Sequence, residues 1–188
     1  MTGGPTDRKY SEVRRADRAV DDDTWIVAML RTAPFAALAT VEGGQPFINS
    51  NLFAFDEAAR VIYVHTAALG RTRTNVEVDE RCCFSVSEMG RLLPHETARG
   101  MSVEYASVVV FGRARVIEDA AERERALQRV LDKYFPHLRP GTDYRSITPQ
   151  DLDATTTYRI EIDEWSGKRW LAEADFPGAF SFGELAKH

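Results

Sequence analysis

Apolar and polar positions change period several times along this 188-residue chain, and each change marks an element. An acidic cluster, Asp21, Asp22 and Asp23, suits the free N–H groups and positive pole of a helix start, and Trp25, Ile26, Met29 and Leu30 follow as its buried stripe. Pro34 stops that helix. Phe35 to Val41 is a short apolar run, EGGQ is a turn, and PFINSNLFAF alternates: Phe47, Asn49, Asn51, Phe53 and Phe55 share one face, with Ile48, Ser50, Leu52 and Ala54 on the other. After a turn at Asp56 to Ala59, the run VIYVH completes a three-stranded meander.

A short helix is predicted from about Gly70 to Asp79, then a strand, CCFSVSE, a loop at 89–100, and a long strand, EYASVVVFGRARVIE, bent at Gly112. Asp119 with Glu122 opens a second long helix, with Leu127, Val130, Leu131 and Tyr134 on one stripe; Pro136 ends it. TTYRIEIDEW alternates as a last strand running into SGKRW. Six or seven strands in meander order with a few helices predict a mainly β fold with peripheral helices, an antiparallel barrel, closed or partly split, and not a doubly wound parallel sheet.

With 44% apolar residues the chain can bury roughly 70% of its unfolded surface in one core. The divisions expected are a mobile extension over 1–13, one domain over 14–170 and a tail over 171–188. A formal charge of −5 argues against a dedicated nucleic-acid binder. There is neither a run of eighteen apolar residues nor an apolar leader, so no membrane association and a cytoplasmic location are expected. Cys82 and Cys83, adjacent in a strand, point to opposite faces and read as reduced core residues. The four histidines offer no zinc-like spacing, and no metal is expected.

Three clusters could carry chemistry. In HTAALGRTRTN (65–75), a helix beginning at Gly70 would leave its first N–H groups free for an anion, with Arg71 and Arg73 adding charge and Thr72 and Thr74 hydroxyls; the plainer alternative is a solvated helix start offsetting Glu77, Asp79 and Glu80. Asn49 and Asn51, on a face with three phenylalanines, need partners, either a heteroaromatic ligand or neighbouring loops. His65 at a strand end is either structural or a proton donor beside a redox centre. SGKRW sets Lys168 and Arg169 between Trp165 and Trp170, as a polar strand end or as a contact to a ligand of a second subunit.

Taken in order, RRADRAVDD (14–22), the strands ending in VIYVHT, GRTRTN, CCFSV, EYASVVVFGRARVIED and YRIEIDEWSGK resemble the pyridoxamine 5'-phosphate oxidase-like superfamily. More narrowly they are similar to its flavin-nucleotide-binding branch related to nitroimidazole-resistance (Nim-type) proteins. The resemblance implies a split β-barrel, a homodimer, and FMN bound in two clefts at the subunit interface. It assigns His65 and Thr66 to strand-end positions, Gly70 and Arg71 to the phosphate-binding glycine and first basic residue, and Asn75 to a nearby polar position. Thr72 stands where many relatives carry a second basic residue, leaving Arg73 or the hydroxyl to compensate. Asn49 and Asn51 would run beside the isoalloxazine ring, and Lys168 near the partner's flavin.

The implied activity is transfer of hydride or electrons from a reduced nicotinamide through flavin to a small organic acceptor, with His65 as proton donor. The alternative is a non-catalytic module that binds flavin, or haem or a deazaflavin in its place. SGKRW departs from the C-terminal tryptophan and arginine motif of the true oxidases, so the vitamin-synthesis reaction is not expected. The tail, with Phe176, Phe180 and Phe182, is expected to cover the partner subunit or cap the flavin cleft.

Overall fold

One antiparallel sheet, curled back on itself, organises the chain. The structure is a computed structural model that describes residues 9–187; residues 1–8, most of the expected N-terminal extension, and residue 188 lie outside the described residues. Eight strands form where six or seven are expected: β1 (Ala19–Val20), β2 (Ala36–Glu42), β3 (Gln45–Asn51), β4 (Phe53–Asp56), β5 (Val61–Ala67), β6 (Arg81–Leu93), β7 (Ser102–Val116) and β8 (Thr155–Trp170). The path is β3-β2-β6-β7-β8-β5-β4, with β1 added on β8.

The expected meander is broken at Leu52. Its alternation does run unbroken, but the chain leaves β2 after the pair Ala36↔Asn51 and joins β5 at Phe53↔Val64. The ends of the path are thus consecutive in sequence, which closes the sheet into a split barrel. Phe53, Phe84, Leu38, Val64, Val110 and Tyr158 are wholly buried inside it, Phe53 and Phe84 meeting edge to face at 4.9 Å. Gly112 marks the expected bend. A Cβ there would stand 2.1 Å from the Glu161 carbonyl oxygen, and the β7–β8 register shifts at that point.

The helices are α1 (Asp23–Thr32), α2 (Arg71–Val78), α3 (Ala120–Tyr134) and a short α4 (Pro149–Asp153) inside what reads as a loop. Asp22 caps α1 by accepting from the Thr24 N–H, and Ile26, Met29 and Leu30 are buried in the core. Asp119 likewise caps α3. That helix covers the other side of β5, where Val61, Tyr63, Ile117 and Ala126 form a second apolar cluster. Cys82 lies in the core and Cys83 is half-buried on the outer face.

β6 outlasts its predicted end, Glu88, by five residues. Arg91 forks onto Glu104 of β7 (2.6 and 2.9 Å), and the same guanidinium donates to the Glu173 and Ala174 carbonyls, while Glu104 accepts from the Ala172 N–H. Phe180 pairs with Leu92 through both backbone bonds. The tail therefore lies along its own β6–β7 hairpin.

Candidate functional site

The loop between β5 and α2 is built around Gly70. Its φ of +154° and ψ of 170° fall in a region that only glycine occupies readily, and no side chain caps α2. The first intrahelical bond of α2 runs from the Thr74 N–H to the Gly70 carbonyl, so the N–H groups at the start of the helix project without helical partners. A Cβ at Gly70 would meet nothing within 4 Å, so the space in front of the helix start is open. Arg71 is exposed there, its guanidinium 5.5 Å from the Phe47 ring centroid.

Behind the helix start lies a polar layer. Thr72, only 4% exposed, accepts from the Asn49 amide (3.3 Å), and Asn51 donates to the Asn49 carbonyl (3.0 Å). Asn75 is fully buried; the amide orientation that satisfies both its ends donates to the Arg71 carbonyl (3.1 Å) and Glu42 (3.2 Å) and accepts from Thr40 (2.9 Å). Asn75 thus pins the first turn of α2 to β2. On the other flank Thr66 shares a hydrogen bond with the Tyr158 hydroxyl (3.0 Å), whose pKa burial pushes up.

Arg73 does not join Arg71. It donates to the Ala68 carbonyl (3.1 Å) and pairs with Glu77 (2.7 Å), fastening the loop that precedes Gly70. The burial of Thr72 gives a physical reason for a hydroxyl at that position, because a guanidinium or ammonium there would lose its water. One exposed guanidinium and one uncapped helix start therefore carry the positive potential.

Asn49, Asn51, Gly70, Arg71, Thr72 and Asn75 come together, with Phe47 and Thr40 added by the structure; the β2–β3 register, which sequence spacing does not reveal, is what adds Thr40. His65 lies elsewhere. Ile62 and Val64 face the barrel interior, so alternation turns His65, with Val61 and Tyr63, toward α3. There it lines a cavity of about 390 Å³ with Leu127, Val130, Leu131, Arg145 and Ile147. Its Nδ1 is buried with no hydrogen-bond partner among the described residues, and burial lowers the imidazole pKa, favouring the neutral ring. Lys168, on the outer face of β8, is also apart from the α2 cluster within one chain, standing over Tyr105 (5.3 Å).

Among the described residues no group of three or more His, Cys, Asp or Glu could hold a metal ion, and no helix is long and apolar enough to cross a membrane.

Residues 22–169 match the family model for pyridoxamine 5'-phosphate oxidase. No curated protein matches at a significant level. Among solved structures, the flavocytochrome Anf3 from Azotobacter vinelandii superposes with a TM-score of 0.73 at 24% identity, covering 94% of this chain and 78% of that one. The FAD and heme binding protein from Mycobacterium smegmatis gives 0.72 at 23%, with 84% and 77% covered. A candidate 5-nitroimidazole antibiotic resistance protein from Bacteroides thetaiotaomicron gives 0.67 at 18%, with 80% and 86% covered. At these identities the likeness establishes a common fold.

Proposed function

The chain belongs to the pyridoxamine 5'-phosphate oxidase family, and on that footing we propose that it binds a flavin nucleotide, FMN, through the start of α2 and serves as an oxidoreductase that takes hydride from a reduced nicotinamide and reduces a small organic acceptor. The observation that carries this reading is the open, uncapped helix start at Gly70 with Arg71 beside it, backed by a buried amide and hydroxyl layer. That set suits one phosphate monoester: backbone N–H groups and the helix pole face the anion, and Arg71 supplies a planar two-point grip.

Bound there, the flavin would supply the hydride chemistry. The chain's own residues do the rest. Gly70 lets the backbone approach the phosphate, and Phe47 steadies the Arg71 guanidinium. Asn49 and Asn51 hold fixed amides on the strand beside the cradle, and Thr72 and Asn75 keep α2 in place against β3 and β2. Phe35, Ile48 and Leu52 stand exposed along the β2–β3 hairpin, an apolar face that supports packing of a second copy in a homodimer. Lys168, remote from α2 in its own chain, would then serve the other subunit's site.

The position of His65 favours a second reading. His65, a half-buried imidazole whose Nδ1 has no partner among the described residues, would hold the iron of a haem, and Arg145 its anionic groups, in a cavity lined by Leu127, Val130 and Leu131. Two of the structural relatives are, by their names, a flavocytochrome and an FAD and heme binding protein. This cavity is separate from the α2 cradle, so haem there is compatible with flavin at Gly70. In this reading His65 serves its own cavity and not the flavin ring of the same chain.

The Arg71→Ala variant tests the primary reading. Among the described residues Arg71 makes no salt bridge, so the fold should survive while flavin affinity falls by roughly tenfold or more, the loss of one charge-assisted contact. Unchanged affinity would remove the phosphate assignment.

A further inference from the structure

At the far end of the β6–β7–β8 face, away from the α2 cradle and the His65 cavity, four side chains form a cluster of which the readings above use only Lys168, and that only toward the other subunit. Arg18, from the turn before β1, lays its guanidinium 4.6 Å above the Trp170 ring and 5.9 Å from the Tyr105 ring, and donates to the Tyr105 hydroxyl at 3.3 Å. Lys168 approaches the same Tyr105 ring from β8. The registers Ser107↔Lys168, Tyr105↔Trp170, Ser87↔Ser107 and Met89↔Tyr105 surround these groups with neutral side chains.

This cluster is rich in donors and poor in acceptors. Among the described residues, Arg18 Nε and Trp170 Nε1 are buried with no hydrogen-bond partner. The nearest carboxylate, Asp17, stands 3.7 Å from Arg18 and is already held by Arg15 through two bonds of 2.8 and 2.6 Å. Buried donors without acceptors cost free energy and are uncommon in folded proteins, whereas two cations over aromatic rings make a preformed seat for negative charge. The Tyr105 phenol registers the same field: burial pushes its pKa up, but hydrogen bonds and charge from Arg18 and Lys168 outweigh it, and the net shift is downward.

We propose that Arg18, Lys168, Tyr105 and Trp170 form a recognition site for an oxyanion, the carboxylate or phosphate of a small organic ligand. The guanidinium fork and the indole N–H supply directed bonds, Lys168 supplies charge, and the two rings wall the ligand on its apolar side. A carboxylate substrate and the phosphates of a nucleotide share this chemistry. Arg18, Tyr105 and Trp170 have no part in the flavin assignment and none of the four residues touches α2 of its own chain, so Arg18→Gln tests this site separately from the flavin reading, which shares only Lys168.

The test titrates benzoate and, separately, inorganic pyrophosphate into ¹⁵N-labelled full-length protein, carrying whatever cofactor it retains, and follows the indole N–H resonances. Trp170→Phe identifies the Trp170 signal among the three tryptophans. Saturable movement of that signal is expected, with affinity reduced by roughly tenfold or more in Arg18→Gln and in Lys168→Gln and retained in Lys168→Arg. Tighter binding of benzoate assigns the site to a carboxylate ligand, and tighter binding of pyrophosphate assigns it to a nucleotide. Absence of saturation with both probes, or equal affinity in wild type and both glutamine variants, overturns the proposal. Lys168→Gln, a change on a regular strand, keeps the test readable if Arg18→Gln fails to fold. A protein that binds no flavin but passes this test leaves the proposal standing.

Discussion

Replacing Gly70 by alanine isolates a backbone cost at the proposed phosphate cradle. The added methyl meets nothing within 4 Å, so no steric clash contributes. What remains is φ, +154° in the structure with ψ at 170°, a region that costs an L-residue about 1–3 kcal/mol. Alanine also restricts the unfolded chain, which offsets up to ~1 kcal/mol of that loss. The net expectation is a destabilisation of about 1–2 kcal/mol, equivalent to a fall in Tm of ~2–8 °C for a domain of this size. Thermal melting followed by circular dichroism would measure it, with Gly183→Ala as control, since that glycine is also open but has no positive φ. If Gly70→Ala melts at or above the wild-type temperature, the loop is not held in this conformation and the argument for a glycine-dependent cradle fails.

Three further outcomes follow from the geometry. Thr72→Arg, which installs the second basic residue, should lose about 3 kcal/mol or more by burying a charge at a 4% exposed position, and a denaturant melt with unchanged stability would contradict that. Burial lowers the His65 pKa from 6.5, so the unfolded chain binds the proton more readily; stability should fall as pH drops below about 6.5, and His65→Gln should flatten that slope in urea midpoints measured across the range. The Arg91 fork holds the Glu104 carboxyl down to about 2 from 4.5, so its contribution is complete above about pH 4.5 and is lost toward 2; protection of the Ala172 amide from exchange should decline across that window and not above it.

Much of the barrel could be read from alternation alone. Residues 47–55 keep their parity through the whole run, and for that reason the break at Leu52 was hidden: no glycine or proline marks it, and only the two different partners, β2 and β5, reveal it. The extension of β6 was hidden by Gly90 and Arg91, which read as loop residues. There a glycine is needed because a Cβ would stand 2.8 Å from that of Glu104, and the strand is secured by an ion pair spanning thirteen residues. α4 carries a local signal in Thr148 and Asp151, which flank Pro149 as a capping box.

The α2 cluster was legible because its residues are close in sequence or share one strand face. His65 was harder to place: its parity with Val61 and Tyr63 is plain in VIYVH, but which face α3 covers is a tertiary fact. Arg18 offered no signal at all, since its neighbours Tyr105 and Trp170 are 87 and 152 positions away. The apportioning of the two threonines and two arginines after Gly70 between ligand and scaffold was likewise settled only by packing. Arg73 fastens the loop, Thr72 supports Asn49, and Arg71 faces solvent at the helix start.

The most direct test is a fluorescence titration of FMN into the cofactor-stripped protein and its Arg71→Ala variant, with thermal melts of both. Saturable binding near one flavin per chain, weakened by roughly tenfold or more in the variant while its Tm stays unchanged, is the expected result. Absence of FMN binding by the wild type, or equal affinity in the two proteins, would contradict the assignment of the α2 start as a flavin-phosphate site.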